Sequence, residues 1–152
     1  MAFFNLKTLA ALVLASLISV HARADVSGLW QGYGQWAYDG SAIPCLLTAR
    51  YQESTTEIRR HRGSLQCDIL NLYSDPLTWV KSGASLELAG SAAGEWNEKG
   101  FRSLEEGADG VEVETRFTLT SEKTARYREL WRRRADGLLI YDIQANLERL
   151  QK

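Results

Sequence analysis

From residue 28 onward the chain alternates between hydrophobic and polar positions in short runs punctuated by glycine and aspartate. That pattern predicts antiparallel strands joined by tight turns, and so a sandwich or barrel. Gly28 to Tyr38 sets Trp30, Gly32, Gly34 and Trp36 on one face and ends at an Asp39-Gly40-Ser41 turn. Cys45 to Glu53 carries Cys45, Leu47, Ala49 and Tyr51 on one side, against Leu46, Thr48, Arg50 and Gln52 on the other. A loop at Thr55-Thr56-Glu57 sets the register of the next hairpin. Leu47 then faces Leu65, Ala49 faces Gly63, Tyr51 faces His61 and Cys45 faces Cys67. The apolar faces match, and the two thiols meet at the far end.

Asn71 to Pro76 reads as a turn region. Shorter strands are predicted over 77–81, 85–89 and 94–97. Phe101 to Gly110 is charged and bounded by glycines, as a long loop or lid would be. Val111 to Thr120 alternates again, with Val111, Val113, Thr115, Phe117 and Leu119 facing in. Glu122 to Arg134 fits a strand or, through Tyr127, Leu130 and Trp131, a helical stripe capped by Ser121. The strand is preferred because Ala135-Asp136-Gly137 makes a three-residue hairpin loop with Gly137 left-handed. Trp131 then opposes Tyr141, Glu129 opposes Ile143, and Tyr127 opposes Ala145, while Leu139 joins the inward face. The fold expected is all-β: one antiparallel up-and-down β-barrel of about eight to nine strands.

The N-terminal segment departs from this pattern. Lys7, an uncharged apolar run from Leu9 to Val20, and Ala22-Arg23-Ala24 together read as a signal peptide over residues 1–24. The run falls well short of the roughly twenty residues of a transmembrane helix. Residues 25–152 are then a single domain, periplasmic or secreted, with no membrane insertion after cleavage. Its two cysteines, Cys45 and Cys67, reach an oxidising space and pair, contributing about 3 kcal/mol if unstrained.

Removing Lys7 and Arg23 takes the net charge from −1 to −3, which disfavours nucleic acid as a partner. It also leaves His61 as the only histidine, so a multi-histidine metal site is excluded and no cofactor is implied. Catalysis would have to use His61 with a carboxylate. No nucleophile motif or phosphate loop is present, and an enzyme is the reading the residues support least. His61 beside Tyr51 also fits a packed, hydrogen-bonded side chain.

Glu129 sits on an apolar face between Tyr127 and Trp131. A buried carboxylate needs a partner, so it is either a structural ion pair with Arg133 or a polar anchor in a ligand cavity. Arg59 to Arg62 and Arg126 to Arg134 read as solvent-facing strand residues, or as a patch for an anionic polymer or a protein.

Gly28-x-Trp30 on the first strand, with the leader and the disulfide, resembles the lipocalins and the wider calycin barrels. The resemblance implies that Trp30 plugs one end of the barrel beneath an arginine, either Arg149 or one from 126–134. The lipocalin Thr-Asp-Tyr motif is absent. With five tryptophans and six tyrosines in the chain, the expected function is binding of an apolar or amphipathic small molecule. Tyr51, His61, Tyr127, Glu129, Trp131 and Tyr141 are the candidate ligand contacts. The alternative is an extracytoplasmic inhibitor or immunity factor that binds an envelope protein such as a cell-wall hydrolase or a toxin.

Overall fold

The computed structural model describes residues 25–152; the leader assigned to 1–24 lies outside the described residues. Twelve strands follow in order: β1 (Gly28–Tyr38), β2 (Ser41–Glu53), β3 (Glu57–Arg60), β4 (Gly63–Cys67), β5 (Asn71–Ser74), β6 (Leu77–Ser82), β7 (Ser85–Leu88), β8 (Ser91–Asn97), β9 (Gly100–Glu106), β10 (Val111–Leu119), β11 (Thr124–Arg133) and β12 (Leu139–Gln151). Every pairing is antiparallel, and β1 bonds to both β2 and β12, so the sheet closes into a barrel. The expected architecture is therefore present, with twelve strands in place of eight or nine.

Three departures account for the higher count. A one-residue bulge at His61-Arg62 divides the third course into β3 and β4; Asn71 to Ser74, expected as turn, is strand β5, divided from β6 by Asp75-Pro76. Segment 101–106, expected as a lid, is strand β9, and only Gly107 to Gly110 turns the chain. Segment 122–134 resolves to strand, and the registers Trp131↔Tyr141, Glu129↔Ile143 and Tyr127↔Ala145 are as expected. Gly137 takes the left-handed conformation (φ 71°). A register shift after Trp131 turns Leu139 outward, where it is exposed rather than part of the inward face.

At one end the barrel is filled. Trp30, Tyr51, Trp79, Phe101 and Phe117 form a continuous aromatic core with Ile58, Leu86 and Leu147. Trp30 is fully buried, its indole N–H donates to the Val26 carbonyl at 2.9 Å, and the Arg149 guanidinium lies 4.4 Å from its ring. Arg149 in turn donates to the Asp25 carbonyl at 2.6 Å. β1 reaches this closure because Gly32 and Gly34 let it press on β12. A Cβ at either position would stand 1.8 or 1.9 Å from a β12 carbonyl oxygen.

At the opposite end, the Cys45–Cys67 disulfide ties β4 to β2 across directly opposed positions, with Cα atoms 4.3 Å apart. This spacing suits a non-hydrogen-bonded pair. The wall is thinner here. Among the described residues β5 pairs only with β4, and the β8–β9 ladder stops at Ser103, leaving Leu104 to Glu106 bonded on the β10 side alone.

Candidate functional site

Behind this thin wall the barrel holds a cavity of about 350 Å³, within the range of small-molecule sites. Leu47, Ala49, Leu65, Val113 and Ile143 supply its apolar surface; Tyr51, Tyr127 and Trp131 add aromatic surface, and Arg60, Glu105 and Glu129 add charge. Of the contacts expected from the sequence, Tyr51, Tyr127, Glu129 and Trp131 come together in this lining. His61 and Tyr141 are not among the lining residues. Tyr141 packs instead with Trp36, Tyr38 and Trp131 in an aromatic group beside the first turn.

The bulge explains His61. Cys45↔Cys67 and Leu47↔Leu65 hold the register read from the sequence, but the extra residue shifts the far side by one, so Tyr51 faces Arg60. A one-residue shift exchanges the two faces of a strand. Arg60 thus points inward where His61 was expected. It is 7% exposed, its two terminal nitrogens donate to the Glu105 carboxylate at 2.9 and 3.2 Å, and its Nε donates to the Asp75 carbonyl at 3.2 Å. The guanidinium also lies 5.5 Å from the Trp79 ring. Burial pushes the Glu105 carboxyl above its usual range, and the adjacent Arg60 opposes that rise.

Arg60, expected to face solvent with its neighbours in Arg59 to Arg62, and Glu105, expected in a solvated charged lid, are instead a buried pair. The one signal for Glu105 was the spacing Phe101-x-Ser103-x-Glu105, which is strand-like only if polar residues are allowed on the inner face.

Glu129 has a different environment from the ion pair with Arg133 considered above. Arg133 binds Asp136 within the hairpin loop, at 2.6 and 2.9 Å. Glu129 instead accepts from the flanking side chains of its own strand, the Tyr127 hydroxyl and the Trp131 indole N–H. Burial, with the neighbouring Glu129 charge, raises the Tyr127 phenol well above its ordinary value, so it stays protonated and donates. Burial likewise raises Tyr51. The Tyr51 hydroxyl, only 2% of whose residue is exposed, has no hydrogen-bond partner among the described residues. The same holds for the hydroxyls of Ser103 and Thr115, which stand beside each other on β9 and β10.

The outer wall carries a second feature. Arg102, Arg116 and Arg128 are directly opposed across β9, β10 and β11. Like charges so placed repel. Glu114 accepts from Arg102 at 2.9 Å and from Arg116, and Asp142 takes Arg128 in two bonds of 2.8 and 3.1 Å. Arg126 is exposed on the same face, and a groove runs from Arg116, Arg126 and Arg128 to Tyr33 and Gln35 on β1.

No protein-family model matches the sequence, and no curated protein matches it. Among solved structures, the S-type phycobiliprotein lyase CPES from Guillardia theta is similar over 84% of this chain and 89% of its own, with TM-score 0.60 and 9% identity. A de novo designed fluorescence-activating beta barrel is similar over 86% of this chain and 98% of its own, with TM-score 0.43 and 17% identity. The likeness to the lyase is one of fold, a small closed antiparallel barrel.

Proposed function

We propose that this chain is an exported binding barrel that carries an apolar or amphipathic small molecule. The observation that carries this reading is the cavity of about 350 Å³ in a barrel whose other end is filled. A packed structural barrel has no need of a chamber lined by Tyr51, Tyr127 and Trp131 around a carboxylate. Apolar walls supply the driving force for binding, and the few polar groups orient the ligand. Export to the periplasm or beyond is supported by the leader-like residues 1–24 and the disulfide. The barrel shared with a phycobiliprotein lyase supports the reading through architecture alone.

Native mass spectrometry of protein purified from its own compartment tests this directly. A small molecule released on denaturation is the expected result. Apo protein whose tryptophan emission ignores a panel of hydrophobic ligands would remove the reading.

The outer arginine row favours a second reading, an extracytoplasmic inhibitor or immunity factor that binds an acidic envelope protein. Its surface would be Arg102, Arg116, Arg126 and Arg128 with the exposed Tyr33. Pull-down from envelope extracts with wild type and an Arg126→Glu/Arg128→Glu variant discriminates it. A partner retained equally by both would reject this surface.

A further inference from the structure

The charges around the cavity select among ligands, and we infer that it takes an amphipathic organic cation, a protonated amine on an apolar or aromatic body. This inference rests on the ligand-carrying reading above and specifies its substrate class.

The lining contains Arg60 as its one basic residue and four acids, Asp75, Glu105, Glu106 and Glu129. The Arg60 charge is already paired: three of its five N–H donors are used, two on Glu105 and one on the Asp75 carbonyl. A ligand carboxylate or phosphate would have to compete with Glu105 for that one cation, and displacing Glu105 would leave a buried acid unpaired, which is costly. Glu106 is paired with Arg134 at 2.7 Å on the exposed rim, and Asp75 is exposed to solvent.

Glu129 is left as a carboxylate facing the cavity with no cationic partner among the described residues. Its two bonds come from neutral donors, Tyr127 and Trp131. A carboxylate offers about four acceptor sites, so capacity remains for an N–H of a ligand. The rings of Tyr51, Tyr127 and Trp131 add electron-rich surface that favours a cation once it is out of water. Tyr51 is the independent pointer to a ligand: it lines the cavity, and its buried hydroxyl has no hydrogen-bond partner among the described residues. An anion is repelled by the surplus acids, and a neutral apolar molecule leaves Glu129 uncompensated.

The test uses three probes of similar size on the purified wild-type protein at fixed ionic strength: benzylammonium, its neutral isostere ethylbenzene, and benzenesulfonate. Calorimetry or tryptophan fluorescence reads the affinities. The cation is expected to bind about tenfold tighter than the neutral isostere, with the sulfonate weakest. Glu129→Gln, which keeps an acceptor for Trp131 or Tyr127, is expected to erase that preference, bringing the affinities for benzylammonium and ethylbenzene together. Equal binding of cation and isostere, or preference for the sulfonate, overturns the inference and leaves ligand carriage standing. Failure of all three probes to bind overturns ligand carriage itself. The wild-type comparison stands even if Glu129→Gln does not fold.

Discussion

At the scale of single residues, the cavity floor depends on a buried ion pair whose parts cannot be removed singly. Arg60 and Glu105 satisfy each other bidentately at 2.9 and 3.2 Å. Truncating one leaves a buried charge, so Arg60→Met and Glu105→Gln should each cost about 3–5 kcal/mol in urea unfolding. The double variant Arg60→Met/Glu105→Leu should cost less than either single change, and additive losses would contradict the pair's role. Trp30 poses the opposite case, an apolar group under a cation. Its ring is fully buried against Phe117, at 5.1 Å between centroids, and under Arg149. Trp30→Ala should lower stability by about 3–5 kcal/mol. Arg149→Ala should cost less, because it removes one hydrogen bond to Asp25 and a cation–ring contact without opening the core. An Arg149→Ala loss as large as that of Trp30→Ala would show that the arginine does more than cover the ring.

At the scale of elements, strands were legible wherever the inward positions are apolar, and they became illegible where the site begins. β1, β2, β10 and β12 alternate cleanly, and turn residues were enough to give the register of β2 with β4 and of β11 with β12. β9 was mistaken for a lid because its inward residues after Phe101 are Ser103 and Glu105, so the period-two signal vanishes where polar groups enter the barrel. His61 was assigned a place that belongs to Arg60 because no composition rule announces a one-residue bulge. The outward face has its own logic, visible only once β9, β10 and β11 are aligned. Arg102, Arg116 and Arg128 stand in a row, and Glu114 offsets two of them. The hydrogen bond from Arg102, aided by Arg116, holds the Glu114 carboxyl below its ordinary value. The folded state therefore binds this proton less readily than the unfolded chain. The stabilisation is complete above the ordinary glutamate range near about pH 4.3 and is lost as pH falls through the folded value. Glu114→Gln should lower the urea midpoint at pH 6 and flatten its fall between pH 5 and pH 3. A variant that keeps the wild-type acid limb would assign that limb to other carboxylates.

At the scale of the whole molecule, one end of the barrel is fixed by its core and the other by a covalent tie. The filled end is closed by Trp30 and the aromatic stack, whereas the cavity end is walled in part by β5, which among the described residues no strand but β4 supports. β4 meets β2 over only four residue pairs, Cys45↔Cys67 to Thr48↔Ser64, and the disulfide lies at the outermost of them. β5 also contributes Leu72, Tyr73 and Ser74 to the cavity lining. The bond therefore supports the binding wall as well as global stability, and the two roles separate experimentally. Reduction, or Cys45→Ser/Cys67→Ser, should cost about 3 kcal/mol against unfolding by constraining the denatured chain less. Under native conditions, amide exchange should accelerate first in residues 63–74, while β10 to β12 keep their protection. Affinity for a cavity ligand should fall in the same variant, because its wall is then free to splay from β2. Uniform loss of protection across the barrel, with ligand affinity unchanged, would reduce the disulfide to a purely global staple.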